Sequence, residues 1–442
     1  MLFARVPRSR FPAALWLFCF WLVFAHGSRD DGARAQDYSF DTSGLDKKSF
    51  DGSASVELWP TLIIFNKNSA LYALRYKNES PAYADVYRLR AEAGGQYQYN
   101  RVLVSAFGAF NAFYQHLDDS LTSNGKLYES YFKYSPDASF SLLAGKKTFL
   151  WGKAYARNPV SFAGRPRDLN DIGAALEGYW NLSAEYIHGF SGRLSAFAFT
   201  GAVLPVYGSV NEGFLRDKTI AGVTQLYFLF LDTDIDGYFF CDSRNEYRVG
   251  ADFAKNIFPS WEIHGEWAYG RKSLSTQFAN DGVPTSYARD ANNLVLGTRY
   301  LAPSNTTFIL EYLHPGSGFT SDQMSAYYRV LGSALESDNP AVGMMVLQNS
   351  SRYYNEQFLM TDYLYVKAAH PEPFTMVYFN PAVYSVVNLI DGSLMAGVEM
   401  TYTRLSHLLL TARYVAFAGS HESEYGVKQA QQRIELRAKW SF

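Results

Sequence analysis

From Arg433 to Phe442 the chain alternates without a break. Arg433, Glu435, Arg437, Lys439 and Ser441 take one set of positions; Ile434, Leu436, Ala438, Trp440 and Phe442 take the other. Successive side chains of a strand point to opposite faces, so this segment predicts a strand with one ionic and one apolar face. The period recurs upstream. Trp261, Ile263, Gly265, Trp267 and Tyr269 alternate with Glu262, His264, Glu266 and Ala268. Leu394, Ala396, Val398, Met400 and Tyr402 alternate with Met395, Gly397, Glu399 and Thr401. Phe308, Leu310 and Tyr312 alternate with Thr307, Ile309 and Glu311, and Tyr72, Leu74 and Tyr76 with Ala73, Arg75 and Lys77. Segments of about ten residues, with Tyr or Trp near their ends and charge on the opposite face, are the pattern of transmembrane barrels. Aromatic rings at strand ends suit the two membrane interfaces. Helical spacing is weak outside the N-terminus.

These segments predict an all-β fold: a transmembrane antiparallel β-barrel over residues 68–442. Alternating short turns and long connections gives about 18 strands. That count includes a short strand around 238–241; without it the even number is about 16. Expected short turns are Ser135-Pro136-Asp137, Phe258-Pro259-Ser260, Ala302-Pro303-Ser304, His370-Pro371-Glu372-Pro373 and Arg404-Leu405-Ser406. Expected long connections are 114–126, 148–173, 205–219, 271–290, 315–357 and 418–428. Residues 36–67, polar at first and then apolar, are expected to form a periplasmic arm or a plug.

Composition removes the competing classes. The 442 residues include 33 Tyr, 33 Phe and 8 Trp, yet mean hydropathy is −0.17. With no apolar run of the ~20 residues a spanning helix needs, a multi-span helical protein is excluded. Forty basic residues against 42 acidic ones argue against a nucleic-acid partner. Arg5, Arg8 and Arg10 precede an uncharged apolar run at 11–25, and Ala33-Arg34-Ala35 stands before Gln36. That layout predicts a cleaved secretory signal peptide over 1–35. Cleavage leaves Cys241 alone, so no intrachain disulfide is expected.

Closure of a barrel makes the first and last strands neighbours. The non-lipid faces of those strands are expected to form a basic wall of Arg75, Lys77, Arg88, Arg90, Arg413, Arg433, Arg437 and Lys439, opposed only by Glu92 and Glu435. Across a watery lumen, Glu246, Asp252, Glu262, Glu266 and Glu311 are expected to form an acidic wall. A basic loop carries Lys146, Lys147, Lys153, Arg157, Arg165 and Arg167 among aromatic residues. It is expected either to fold into the lumen and bind an anion or sugar, or to contact the phosphates of surface lipid. Asp232, Asp234 and Asp236, followed by Gly237, match the first half of a calcium loop, but Ser243 stands where the bidentate acid belongs. Catalysis is not expected. No GxSxG occurs, and His116 with Asp118 and Asp119 shares a single loop.

A terminal Phe442 after Trp440, on an alternating strand, resembles the last strand of Gram-negative outer-membrane barrels of porin type. Gly145-Lys146-Lys147 with Trp151-Gly152 is similar to the alginate-export-like members. The resemblance implies an outer-membrane channel for small polar or anionic solutes. It also implies contact with outer-membrane lipid and lipopolysaccharide, recognition of Phe442 by the barrel-assembly machinery, and no cofactor. The alternative it leaves open is a dedicated conduit, for an anionic polysaccharide or around an electron-transfer partner.

Overall fold

A computed structural model describes residues 49–442, apart from 78, 169–174, 279–283 and 355–357. The expected signal peptide at 1–35 lies outside the described residues. The first four strands are long: β1 Phe50–Phe65, β2 Tyr83–Tyr99, β3 Val102–Gln115 and β4 Ser120–Tyr134. Then come β5 Phe140–Lys147, β6 Tyr179–Gly189, β7 Leu194–Val206, β8 Thr219–Phe230 and β9 Thr233–Asp242. The next group is β10 Tyr247–Phe258, β11 Trp261–Phe278, β12 Pro284–Leu301 and β13 Thr307–Pro315. β14 Tyr363–Ala369, β15 Phe379–Asn388, β16 Leu394–Tyr402, β17 Leu408–Ala418 and β18 Ala430–Ser441 complete the set. All 18 form one sheet in which each strand pairs antiparallel with its neighbours in sequence, and β1 pairs with both β2 and β18. The sheet is closed, so no edge is left unpaired.

Four spans differ from the sequence reading. The barrel begins with β1, inside the span expected to be an arm or plug. The apolar stretch WPTLIIF is its lipid and lumen wall. The alternation at 72–76 belongs instead to a short helix, α1 (Ala70–Arg75), whose first turn is capped by Ser69 Oγ accepting from Tyr72 N at 3.2 Å. The expected loop at 114–126 is mostly strand, with a tight turn at 116–119, and most of 271–290 lies in the β11–β12 hairpin. The short strand expected around 238–241 exists as β9.

Turns at one end are short: 100–101, 190–193, 231–232 and 259–260 connect successive pairs with two to four residues. The two-residue β8–β9 turn places Leu231 and Asp232 at φ 51° and 54°, the left-handed pair that matches strand twist. The opposite end carries the long connections, 148–178, 316–362 and 419–429. The 316–362 connection contains α2 (Ser321–Glu336) and α3 (Pro340–Tyr354), so the chain is more helical than its alternation predicts.

The outer wall is apolar. Leu436, Leu310, Trp267, Val383 and Phe239 are all exposed on it. Leu436→Arg is expected to lower the yield of barrel folded into bilayers, because a cation at the midplane costs about 2–4 kcal/mol. Unchanged yield by heat-modifiable mobility on gels would place Leu436 off the lipid face.

Candidate functional site

The lumen is not an open ring of water. At 18 strands a barrel is too wide for side chains alone to fill it, and here loops do the filling. On one side α2 and α3 pack against the inner faces of β13–β17, with Met324, Tyr327, Leu331 and Val346 buried beside Tyr363, Tyr365 and Val415. On the other side the β5–β6 connection folds inward. Its Phe149, Trp151, Val160 and Phe162 are buried against Leu204, Val223, Tyr238 and Phe240 of the barrel wall.

The sequence-predicted acidic wall is what seats that loop. Ladder register aligns Asp236, Asp252 and Glu266 in one row across β9, β10 and β11. Like charges directly opposite one another are destabilising unless something meets them. The loop supplies it. Glu266 accepts from Lys153 N at 2.5 Å, Ala154 N at 2.6 Å and Asn158 Nδ2 at 2.9 Å. Lys153 Nζ lies 2.9 Å from Asp236. Burial alone would pull the Lys153 ammonium below its ordinary pKa, but Asp236 beside it raises the value overall. Asp252 accepts from Tyr238 Oη at 2.8 Å. One row further, Glu311 accepts from Tyr155 N at 2.7 Å and Ala156 N at 2.9 Å.

Two glycines make this approach possible. Gly152 sits at φ 101°, and a Cβ there would lie 2.7 Å from Glu266 Oε1. Gly297 of β12 separates His264 from Glu311, and its missing side chain lets His264 Nε2 reach Glu311 Oε1 at 2.9 Å. His264 is fully buried and props the carboxylate that holds the loop. The remaining acidic residues are paired elsewhere: Glu262 with Arg299 at 2.9 Å and Glu246 with Arg248 at 2.6 Å.

The calcium reading is overturned by the same geometry. Asp232 lies in a hairpin turn, while Asp234 and Asp236 lie on β9, spread along an extended chain rather than converging. Tyr227 donates to Asp234 at 2.5 Å and Gln225 to Asp236 at 2.8 Å. Among the described residues no group of carboxylates is placed to hold a metal ion.

The basic wall is corrected in two ways. Arg75 lies in α1 and Lys77 beyond it, so neither is on a strand. Arg75 faces Asp118 at 3.4 Å, and Lys77 Nζ donates to Ser337 O at 3.4 Å. The rest is real as a cluster of β2, β17 and β18, but it is interleaved with acids. Arg90 and Lys439 meet Glu92 at 2.6 and 2.7 Å. Arg433 and Arg413 meet Glu435 at 2.5 and 3.0 Å, Arg413 also pairs with Glu399, and Arg437 meets Glu57 at 2.7 Å. Arg88 lies over the rings of Trp59 and Phe113, at 4.1 and 4.6 Å. Glu57 was missed because β1 was not expected there, and Glu399 because the wall was confined to the first and last strands of the barrel.

The basic loop divides. Lys146 binds Glu177 at 2.7 Å and Lys147 faces Glu185 at 3.4 Å, so both fasten the root of the loop. Burial would raise the Glu177 carboxyl, yet Lys146 and Arg165 hold it below its usual range. Trp151 is buried against Tyr238, with ring centres 5.6 Å apart. The stretch that resembles alginate-export barrels is thus committed to anchoring. Arg157, Arg165 and Arg167 line a cavity of about 1160 Å³ between the loop, β9–β12 and the 316–362 connection. Seven basic side chains and three acidic ones line it.

A latch closes the same end. Glu424 of the β17–β18 connection accepts from Tyr363 Oη at 2.5 Å, Asn388 Nδ2 at 2.7 Å and Leu359 N at 3.1 Å. Burial raises the pKa of its carboxyl and lowers that of Lys428 nearby.

No family model and no curated protein matches this sequence. Solved structures do match in shape. A BenF-like porin from Pseudomonas fluorescens Pf-5 aligns with a TM-score of 0.54 at 9% identity, over 89% of this chain and 99% of its own. Acinetobacter baumannii OccAB1 aligns with a TM-score of 0.52 at 10% identity, over 89% and 97%. Pseudomonas aeruginosa OccK11 (OpdR) aligns with a TM-score of 0.51 at 10% identity, over 88% and 96%. With its closed 18-stranded antiparallel sheet and apolar outer wall, the chain has the fold of a porin-type outer-membrane β-barrel.

Proposed function

We propose that the protein is an outer-membrane channel of Gram-negative type, passing small polar and anionic solutes passively. One observation carries this reading: the in-folded loop narrows the lumen yet leaves a cavity of about 1160 Å³ whose lining is predominantly basic. Short turns at one end and long connections at the other fit strands crossing an outer membrane from the periplasm. The acidic row that would repel anions is occupied by the loop's amides and Lys153. A wide conduit for a polymer or a protein partner gains no support from a lumen filled by a loop on one side and two helices on the other.

The test is a planar-bilayer recording of the purified barrel under a potassium chloride gradient. The reversal potential is expected to show anion preference at low salt that fades as salt rises, because exposed charges are screened beyond about 10 Å at 0.1 M. Lys272→Gln is expected to shift it toward cations, since Lys272 lines the cavity. A barrel that carries no current, or that prefers cations at low salt, would overturn the proposal.

A further inference from the structure

Resting on that channel, the geometry points to a small organic phosphate as the solute that the basic vestibule binds. The cavity's charge is unequally met. Glu246 is taken up by Arg248, whose Nε and guanidinium nitrogens lie 2.9 and 2.6 Å from one carboxylate oxygen. Asp242 accepts the backbone N–H groups of Arg244 and Glu246, both at 2.9 Å. Arg244 itself donates only to neutral oxygens, Thr219 Oγ1 at 3.0 Å and the Asp217 carbonyl at 2.8 Å. Arg167, Arg216 and Lys272 line the same space, and among the described residues no carboxylate pairs with their side chains; Asp290 accepts only the backbone N–H of Lys272, at 3.2 Å. Elsewhere in the lumen the arginines of β17 and β18 are paired with glutamates, so the positive excess is concentrated here.

The kind of anion follows from the donors. A carboxylate offers two oxygens and one charge, and a single guanidinium fork satisfies it. Several cations facing one cavity are met more fully by a single group with more oxygens and more charge. A phosphoryl ester carries about −1.5 to −2 at neutral pH and three acceptor oxygens. The space is also larger than a bare ion needs. Sites for small organic molecules run from about 300 to 1,000 Å³. Phe214, Phe319 and Phe358 line this one, giving apolar faces to the body that carries the phosphate. The loop seat and the vestibule are then one construction: carboxylates bind the loop from the barrel side, and the loop brings Arg167 to the cavity wall.

Calorimetric titration of the detergent-folded barrel at low salt tests the assignment, with glucose 6-phosphate, gluconate, glucose and inorganic phosphate as probes. Glucose 6-phosphate is expected to bind about tenfold or more tightly than gluconate, a step of one charge-assisted contact, and glucose not at all. The double variant Arg167→Gln/Arg216→Gln is expected to lose that advantage while its heat-modifiable mobility stays as in the parent. In bilayers, glucose 6-phosphate is expected to block the current at concentrations where gluconate does not. Equal affinity for gluconate, or a double variant that keeps the parent's affinity, would overturn the phosphate assignment and leave an anion-preferring channel standing. Inorganic phosphate binding as tightly as the sugar ester would overturn the organic part of it. A barrel that binds glucose 6-phosphate but carries no current would instead overturn the channel, leaving the binding site intact.

Discussion

Replacing Glu266 and Glu311 together by alanine is expected to raise single-channel conductance severalfold without unfolding the barrel. The two carboxylates accept four backbone N–H groups of the β5–β6 connection, from Lys153, Ala154, Tyr155 and Ala156, and the Asn158 amide besides. Hydrogen bonds to a charged partner contribute roughly 1.5–3 kcal/mol each, and amides left buried without an acceptor add their own cost. What still ties the 153–158 segment to the wall then includes the Lys153–Asp236 ion pair and the small buried side chains of Ala154 and Ala156. Phe149, Trp151 and Phe162 still pack against β7–β9, so the root of the loop stays in place while its tip swings out. The strands keep their ladders, so the heat-modifiable band is expected to persist. Glu311→Gln alone is expected to give part of the effect, since an amide offers one acceptor oxygen and turns its own donors toward the loop's. A folded double variant with the parent's conductance would show that the loop does not set the width of the passage.

This seat was half legible in the sequence. Alternation put Glu262, His264 and Glu266 on one face of a strand, and the structure keeps that face. What alternation cannot state is what a lumen residue touches. Pairing by sign across the ring ignored backbone donors, and Glu266 and Glu311 turn out to be met chiefly by amides. Asp236 was read as part of a loop because Asp-x-Asp-x-Asp-Gly is a local pattern, whereas the ladder aligns it with Asp252 of β10. Register between strands is a long-range property and was not available. The helices were missed for a different reason. Thr320 and Gln323 form a capping box, and Met324, Tyr327, Leu331 and Ala334 follow at helical spacing. The signal was present in a stretch treated only as a long connection. The C-terminal strand was the clearest part, because both its faces are buried in definite media, lipid outside and charge pairs inside. Even there the contacts of Arg437 with Glu57 and Trp59 on β1 were out of reach, because β1 was not expected.

Arg437 sits at the seam where the barrel closes. From Ser55 to Ile64 of β1 the register with β18 is constant, Leu58 facing Ala438 and Thr61 facing Glu435, but no ladder pairing is made at the two positions between. Pro60 stands there, with no N–H to donate. The neighbouring side chains supply what the ladder lacks. The buried ring of Trp59 on β1 is held between the guanidinium groups of Arg88 on β2, at 4.1 Å, and Arg437 on β18, at 3.7 Å. Arg437 Nε also lies 2.7 Å from the buried Glu57 carboxylate on β1. Trp59→Ala is therefore expected to be severe. Truncating a buried tryptophan costs about 3–5 kcal/mol, and two partly desolvated cation–π contacts add up to roughly 2 kcal/mol each. Arg437→Leu is expected to cost about 3–5 kcal/mol, because it strips a buried carboxylate of its partner. Since both changes break one stack, the double variant should lose less than the two losses added together. Denaturant unfolding of the barrel in lipid bilayers measures all three, with Leu310→Ala on the lipid face as the comparison. If Trp59→Ala unfolds at the parent's midpoint, or if the two losses simply add, the stack does not lock the seam.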